Sequence, residues 1–294
     1  MDQTNSSIPP AEDLIEVRRP TSLLIAQFFL FPLIIIGICV GVFLLFGYIT
    51  FSQRTPQEYL NAIRIGGGIN NEVRWQAAFE LSNTVSSQKD KLKGSQFLHD
   101  MIAVYRNART EDPRVRQYLA LTMGKIGDAR AVPALVDGLN DEHVESRIYT
   151  LLALGMIGDN AAVSGVKPLL ADSEPAVRKV AAYVLGAIKD PSVARDLQIA
   201  LNDSKDEVRF SAAMALAQIN DDAGAELLIK LLDHTYVAEV QDMTVEQKSE
   251  LRVNAIKCLA LLRFEPAHEK IAALSRTDPD LAVRGASLEA LKKF

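Results

Sequence analysis

The most regular feature of the chain is a pattern of apolar positions, at steps of three and four residues, that returns every 31 residues. Between Asp112 and Asp141, one apolar stripe runs from Val115 to Ile126 and a second from Val132 to Leu139. Such steps place residues on one face of an α-helix. Gly127 and Asp128 separate the two stripes, and glycine commonly ends a helix. Each unit is therefore predicted to be two short antiparallel helices joined by a tight turn.

Charged residues keep the same 31-residue step. Recurrence at a fixed period of this size is typical of an array whose units bury their apolar faces against their neighbours. The same residue is rarely needed four times in one binding site, so the set is predicted to form a structural ladder rather than a charged groove. The set comprises Arg116, Arg147, Arg178 and Arg209 with Asp128, Asp159, Asp190 and Asp221.

The fourth unit shows the repeat motif most completely. Glu174 to Arg178 is followed by Ala181 and Ala182, then by Leu185 to Gly186 and by Ile188. This motif resembles the HEAT-repeat family, specifically its short variety related to phycobilisome lyases, over roughly residues 70–294. The resemblance implies an all-α solenoid of about six helix pairs with a C-terminal capping helix. It also implies that each arginine of the ladder meets an acid or a carbonyl group in the adjacent turn. For function it implies less, because that family includes scaffolds, adaptors and a few enzymes.

The resemblance extends to two kinds of enzyme, the deoxyhypusine hydroxylases and the bilin lyases. Deoxyhypusine hydroxylases carry His-Glu pairs early in the repeat helices, where this chain has Arg116 to Gln117 and its equivalents. The one His-Glu pair, His268 to Glu269, lies alone in a predicted second helix, and the four histidines lack metal-ligand spacing. Neither an enzyme nor a cofactor is therefore predicted. A bilin-lyase-like or other enzyme is kept as an alternative.

A second feature precedes the repeats. The 34 residues from Pro20 to Gln53 carry no charge, and about 20 apolar residues suffice for a helix to cross a bilayer. The sequence therefore predicts one transmembrane anchor over residues 20–53. Before it lies a disordered tail over residues 1–19, and after it a juxtamembrane helix and linker over 54–69. The solenoid is predicted over 70–294.

The charged residues on either side of the predicted anchor indicate its orientation across the membrane. Arg18 and Arg19 precede it, whereas Arg54 and Arg64 follow. Positive residues favour the cytoplasmic side, and the adjacent pair favours a cytoplasmic N-terminus with the repeats outside. Together with the short loops, this predicts a single-pass protein of a bacterial inner membrane.

Overall charge excludes one class of partner. The formal net charge is −5, whereas a nucleic-acid-binding surface requires a basic stripe. No small-molecule site is evident either, because the glycines near Gly66 lack the lysine and spacing of a phosphate-binding loop. A protein partner is therefore predicted.

The predicted function is a membrane-anchored scaffold or adaptor that binds protein through the second helices of its units. The alternative is an accessory subunit of a transporter or secretion complex. The segment His234 to Gln247 interrupts the array and is interpreted either as a recognition element or as a tolerated insertion. Candidate contact residues are Arg130, Lys167, Asp196, Lys230 and, in the insertion, Tyr236.

Overall fold

The computed structural model describes residues 31–51, 54–65, 71–108 and 112–294, and all regular structure in these residues is helical. Short 3₁₀ turns join many of the α-helices. In chain order the α-helices are α1 (Phe31–Phe51), α2 (Pro56–Ile65), α3 (Asn71–Thr84), α4 (Lys89–Leu92), α5 (Gln96–Asn107), α6 (Pro113–Ile126), α7 (Val132–Gly138), α8 (Val144–Ile157), α9 (Val163–Val166), α10 (Pro175–Ile188), α11 (Ala194–Ala200), α12 (Asp206–Gln218), α13 (Ala225–Leu231), α14 (His234–Ala238), α15 (Val245–Leu262), α16 (His268–Thr277) and α17 (Leu281–Leu291).

Residues Thr55–Phe294 form one compact unit, and it is an all-α solenoid of helical repeats, as predicted. Within the described ranges, six helix pairs follow one another and α17 closes the array. The pairs are α3 with α5, α6 with α7, α8 with α9, α10 with α11, α12 with α13, and α15 with α16. The small helices α4 and α14 lie in the two insertions where the sequence departs from the 31-residue step, which are Ser86–Ser95 and His234–Gln247.

The solenoid begins earlier than the predicted boundary at residue 70. Helix α2 lies in the segment that was assigned to a juxtamembrane helix and linker, and its Leu60 and Ile63 are fully buried. The carbonyl oxygen of Ile63 accepts a hydrogen bond from Nε of Arg74 at 2.7 Å. Helix α2 therefore covers the apolar face of α3 that would otherwise open the array to water.

Helix α1 belongs to a separate unit. It has no acidic residue in its first turn and no basic residue in its last. The side chains of α1 are described only from Leu33 to Leu45, and over the residues so described no helix is long and apolar enough to cross a membrane. The anchor predicted over residues 20–53 is therefore not supported by the described residues. Residues 20–30, 52 and 53 lie outside the described ranges. The tail predicted to be disordered, residues 1–19, lies outside them as well.

Local sequence signals begin and end helix α6. The side chain of Asp112 accepts a hydrogen bond from the backbone N–H of Arg114, with proline at the first helical position. Gly127 ends α6 with a φ of 69°, in the left-handed region that glycine adopts at little cost. These signals set where the chain turns between the helices of a pair.

Close approach of neighbouring first helices requires small residues. A Cβ atom added to Gly124 of α6 would lie 2.7 Å from Cα of Ala153 in α8, and one added to Gly186 of α10 would lie 2.7 Å from Cα of Ala215 in α12. These distances are shorter than a van der Waals contact, so the first helices pack with their backbones nearly touching. Glycine recurs at the 31-residue step as Gly124, Gly155 and Gly186, and at Gly124 and Gly186 it is a packing requirement of the stack.

Candidate protein-interaction surface

The recurring arginines link each turn between repeats to the next one. Nη1 of Arg147 donates to the carbonyl oxygen of Asp141 at 2.9 Å, and its Nη2 donates to the carboxylate of Asp172 at 3.1 Å. Arg178 repeats this one unit later, with the carbonyl oxygen of Asp172 at 2.9 Å and the carboxylate of Asp203 at 2.7 and 2.9 Å. These two guanidinium groups therefore each span two successive turns and hold neighbouring repeats together.

The acids of this ladder differ from the four that the sequence analysis grouped with the arginines. Those four lie at the other end of the first helix, where each accepts a hydrogen bond from the backbone N–H two residues later; the first three start a 3₁₀ turn, and Asp221 precedes an ordinary turn. The acceptors and distances are Asp128 at 3.0 Å, Asp159 at 2.8 Å, Asp190 at 2.9 Å and Asp221 at 2.9 Å. They cap the turn because a carboxylate satisfies free N–H groups at a helix start. The partner acids also recur at 31 residues, so the period alone did not distinguish the two sets.

The ladder is interrupted at the second insertion. Arg209 donates to the carbonyl oxygen of Asp203 at 2.9 Å, but its carboxylate partner is Asp206, three residues earlier. The position 25 residues after Arg209, which holds aspartate in the earlier units, is His234. The ladder resumes with the buried pair of Arg252 and Asp278.

Pairing with arginine lowers the pKa of two carboxyl groups in the ladder. Hydrogen bonds from Arg178 hold the pKa of Asp203 below its ordinary value. Burial alone would raise the pKa of Asp278, but hydrogen bonds from Arg252 and the backbone N–H of Asp280 outweigh burial and lower it. Both carboxylates are therefore charged at neutral pH and engaged within the fold, which leaves them unsuited to binding a partner.

A groove on the side of the second helices is a stronger candidate for a protein-binding site than the arginine ladder. It encloses about 770 Å³ between the second helices of the third and fourth pairs, and Lys167, Pro168, Leu170, Asp196 and Ile199 are among its lining residues. The third pair differs from its neighbours because its second helix ends as an α-helix at Val166 and continues as a 3₁₀ helix over Lys167–Ala171, with Pro168 near the start of that helix. This irregularity leaves room beside α11.

Two of the predicted contact residues meet at this groove. Nζ of Lys167 lies 2.9 Å from the carboxylate of Asp196, and both side chains are accessible. Ile199, which the sequence analysis did not single out, exposes 65% of its surface beside them. The sequence did contain a signal for this exposure, because Ile199 does not lie on the helical face that carries the apolar residues Leu197 and Leu201.

The other three predicted contact residues lie elsewhere. Arg130 is paired with Asp128 at 2.7 Å near the first insertion. Lys230 is exposed on α13. Tyr236 is half-buried against the second of two apolar clusters that make up the core. None of the three lines the groove, so the structure brings together only Lys167 and Asp196 from the predicted set.

In the part of the chain that the structure describes, no three side chains of His, Cys, Asp or Glu are grouped to hold a metal ion. Burial raises the pKa of the Cys258 thiol to about 11, so this cysteine is protonated at neutral pH and unreactive while it is buried.

Comparison with known proteins agrees with this architecture. The sequence matches the model for HEAT repeats over residues 100–179 and 164–247, together half of the chain. No curated protein matches it significantly. The complex of CpcE and CpcF of phycocyanin lyase from Nostoc sp. PCC7120 is similar in structure with a TM-score of 0.54 and 21% identity, over 81% of this chain and 87% of that one. That likeness shows the fold.

Two other solved structures align over similar lengths. A designed armadillo repeat protein has a TM-score of 0.41 and 18% identity, over 82% of this chain and 99% of its own. Human deoxyhypusine hydroxylase in complex with glycerol has a TM-score of 0.33 and 16% identity, over 83% of this chain and 97% of its own.

Proposed function

Because this chain belongs to the HEAT-repeat family, we propose that it is a scaffold that binds a protein partner through the groove between its third and fourth repeats. One observation carries the proposal. The side chain of Ile199 is 65% exposed at the edge of a groove of about 770 Å³ whose rim holds the ion pair of Lys167 and Asp196. An apolar centre with a polar rim is the usual composition of a protein interface.

The groove is open enough to take side chains from a partner without rearrangement of the repeats. Pro168, Leu170 and Ile199 supply apolar surface from two different helices, and burying that surface would favour association. The exposed pair of Lys167 and Asp196 contributes little to the fold, on the order of 1 kcal/mol or less. Its two charges are therefore free to exchange partners on binding and to set the orientation of the bound protein.

Site-specific photo-crosslinking tests this proposal. A photoreactive amino acid at position 199 is expected to join the full chain to a defined protein in cells. The same amino acid at position 281 is the control, because Leu281 is as exposed as Ile199 but lies on the capping helix. A Lys167→Glu exchange should weaken the adduct at 199 while leaving thermal stability nearly unchanged. Equal adducts at both positions, or none at 199, would contradict the proposal.

We further propose that the scaffold is held at a bacterial inner membrane by its N-terminal segment. The 34 uncharged residues from Pro20 to Gln53 support this, as does the exposure of every described side chain of α1. Arg18 and Arg19 favour a cytoplasmic N-terminus, and the solenoid would then lie outside the cytoplasm.

Membrane attachment predicts a specific fractionation result. The full chain is expected to stay with the membranes after an alkaline wash, and a chain of residues 55–294 is expected to be released. A compartment-sensitive reporter after Phe294 should be active only outside the cytoplasm. Release of the full chain would refute the anchor, and a cytoplasmic reporter signal would reverse the orientation.

The alternative of an accessory subunit predicts a different dependence on this segment. Under that hypothesis, an unrelated membrane span in place of residues 20–53 abolishes function, whereas a scaffold that binds through its repeats tolerates the exchange. The enzymatic alternative predicts a chromophore or metal that copurifies with the chain.

A further inference from the structure

The inserted segment after the fifth repeat forms one wall of a second surface, which lies on the first helices rather than the second. Two neighbouring cavities, of about 300 and 460 Å³, open between α12 and α15. They share Ser211, Met214, Glu250 and Asn254 as lining residues. The cavities therefore form one elongated trough, here called the α12–α15 trough, which suits a chain segment better than a compact small molecule.

The repeat pattern explains why a trough opens at this place. In the second and third repeats the equivalent positions hold Tyr118 and Tyr149, whose rings lie 6.1 Å apart and fill the space between successive first helices. Following the 31-residue step, the fourth repeat has Val180 and the fifth has Ser211, and Asn254 takes this place in the sixth. The large side chains that close this face early in the array are therefore absent from α12 and α15.

The insertion is an ordered wall of this trough rather than a loose loop. Val237 and Val240 are buried in the second apolar cluster. Thr244 and Gln247 form a reciprocal capping box that starts α15. Just before this capping box, Asp242 adopts a φ of 60°, a left-handed conformation that aspartate tolerates better than most residues. The conformation directs the chain so that Asp242 and Met243 line the trough.

The trough is apolar at its floor and carries more acids than lysines on its rim, where the exposed Lys257 lines the larger cavity. Met214, Met243 and Leu251 line the floor, and methionine side chains adapt to differently shaped apolar groups. Glu207 on the rim is paired with Lys179 at 2.7 Å. Asp242 and Glu250 are exposed, and within the described ranges neither belongs to any of the ion pairs found.

We propose that the α12–α15 trough binds an amphipathic, basic segment of a partner protein. Apolar side chains of that segment would pack between Met214 and Met243, and its lysine or arginine residues would face Asp242 and Glu250. Complementary charge would set the orientation and speed association. The trough uses other helices than the groove at Ile199, so either site can fail a test without affecting the other.

Methionine-methyl NMR of the full chain tests the proposal directly. The chain has six methionines, of which Met214 and Met243 lie in the trough, whereas Met156 is exposed elsewhere and serves as internal control. The probe is a short amphipathic peptide of leucine and lysine. We expect it to shift the Met214 and Met243 signals in a saturable manner and to leave the Met156 signal in place. Equal shifts at all three signals, or none in the trough, would overturn the proposal.

Charge-matched variants separate recognition from general electrostatic attraction. The double variant Asp242→Asn and Glu250→Gln is expected to weaken peptide binding by about tenfold. The control, Glu226→Gln with Glu239→Gln, removes the same charge from exposed positions outside the trough and should stay within about twofold. A leucine–glutamate peptide should not bind. Equal weakening in both double variants, or equal binding of both peptides, would contradict a basic partner.

Discussion

Replacing Asp278 with alanine is expected to lower the free energy of unfolding by about 3–5 kcal/mol. The side chains of Asp278 and Arg252 each expose only 3% of their surface, and Arg252 also donates to the carbonyl oxygen of Leu232 at 3.1 Å. Without the acid, a buried guanidinium keeps its desolvation cost and loses its counter-charge. The backbone N–H of Asp280 loses its acceptor as well. The midpoint of denaturant unfolding, followed by circular dichroism, measures the loss.

A local readout distinguishes this effect from general damage. Cys258 is buried on α15, the helix that carries Arg252. In a Cys39→Ser background, labelling of Cys258 by a thiol reagent is expected to accelerate on the order of a hundredfold in the Asp278→Ala variant, because α15 opens more often. Labelling at the wild-type rate would show that the pair does not hold this helix.

The pH dependence of the same variant has a fixed sign. The pKa of the Asp278 carboxyl is lowered in the folded protein. Its contribution to stability is therefore present above about pH 4, the ordinary range of this group, and is lost as the pH falls through the lowered pKa. The difference in stability between wild type and variant should be full at neutral pH and should shrink below about pH 4.

Asp206 supplies the matched control for the buried pair. It pairs with Arg209 where the ladder is interrupted, and the two side chains expose 42% and 29% of their surface. An Asp206→Ala exchange is expected to cost about 1 kcal/mol or less, because water screens an accessible pair. If both aspartate variants lose the same stability, burial of the pair is not the cause.

Replacing Gly186 with alanine is expected to destabilise the protein by about 1–3 kcal/mol, although alanine is the better helix former by about 1 kcal/mol. The added Cβ would lie 2.7 Å from Cα and 2.8 Å from Cβ of Ala215. Since Cα belongs to the backbone, only a shift of α10 against α12 relieves the clash, and that shift disturbs the packing on both sides. Thermal unfolding of the full chain measures the effect.

Replacing Gly285 with alanine should instead stabilise the protein. Gly285 lies within α17, and a Cβ there would meet nothing within 4 Å. Gly285→Ala is therefore expected to stabilise the protein by about 0.5–1 kcal/mol through helix propensity and a less flexible unfolded chain. A loss of stability at both glycines would mean that close approach of α10 and α12 is not what position 186 requires.

The periodic apolar positions predicted the repeats well, because an apolar helix face has to be buried whatever its partner is. The stripe from Val115 to Ile126 could face only another apolar surface, and Gly127 marked the end of its helix. Helix α2 lies in residues 54–69, which were predicted to be a juxtamembrane helix and linker outside the solenoid. Only its packing, with Leu60 and Ile63 buried, makes it part of the array.

Contacts between distant residues were harder to predict. Lys167 and Asp196 were named among the contact residues, and the structure brings them to 2.9 Å. For the ladder, two sets of aspartates shared the 31-residue period, and the arginines pair with the set that begins at Asp141. A period states which positions are equivalent but not which of them meet across a turn.

The sequence by itself determined the all-α repeat architecture, because a 31-residue period of helical stripes is stable only when the units stack. It also determined where the array is interrupted and which glycines recur. The tertiary structure alone decided which acids meet the arginines, how Pro168 leaves a groove beside α11, and how the loss of the tyrosines at Ser211 and Asn254 opens the α12–α15 trough. These features depend on distances between residues far apart in the chain, which only the packing of one repeat on the next sets.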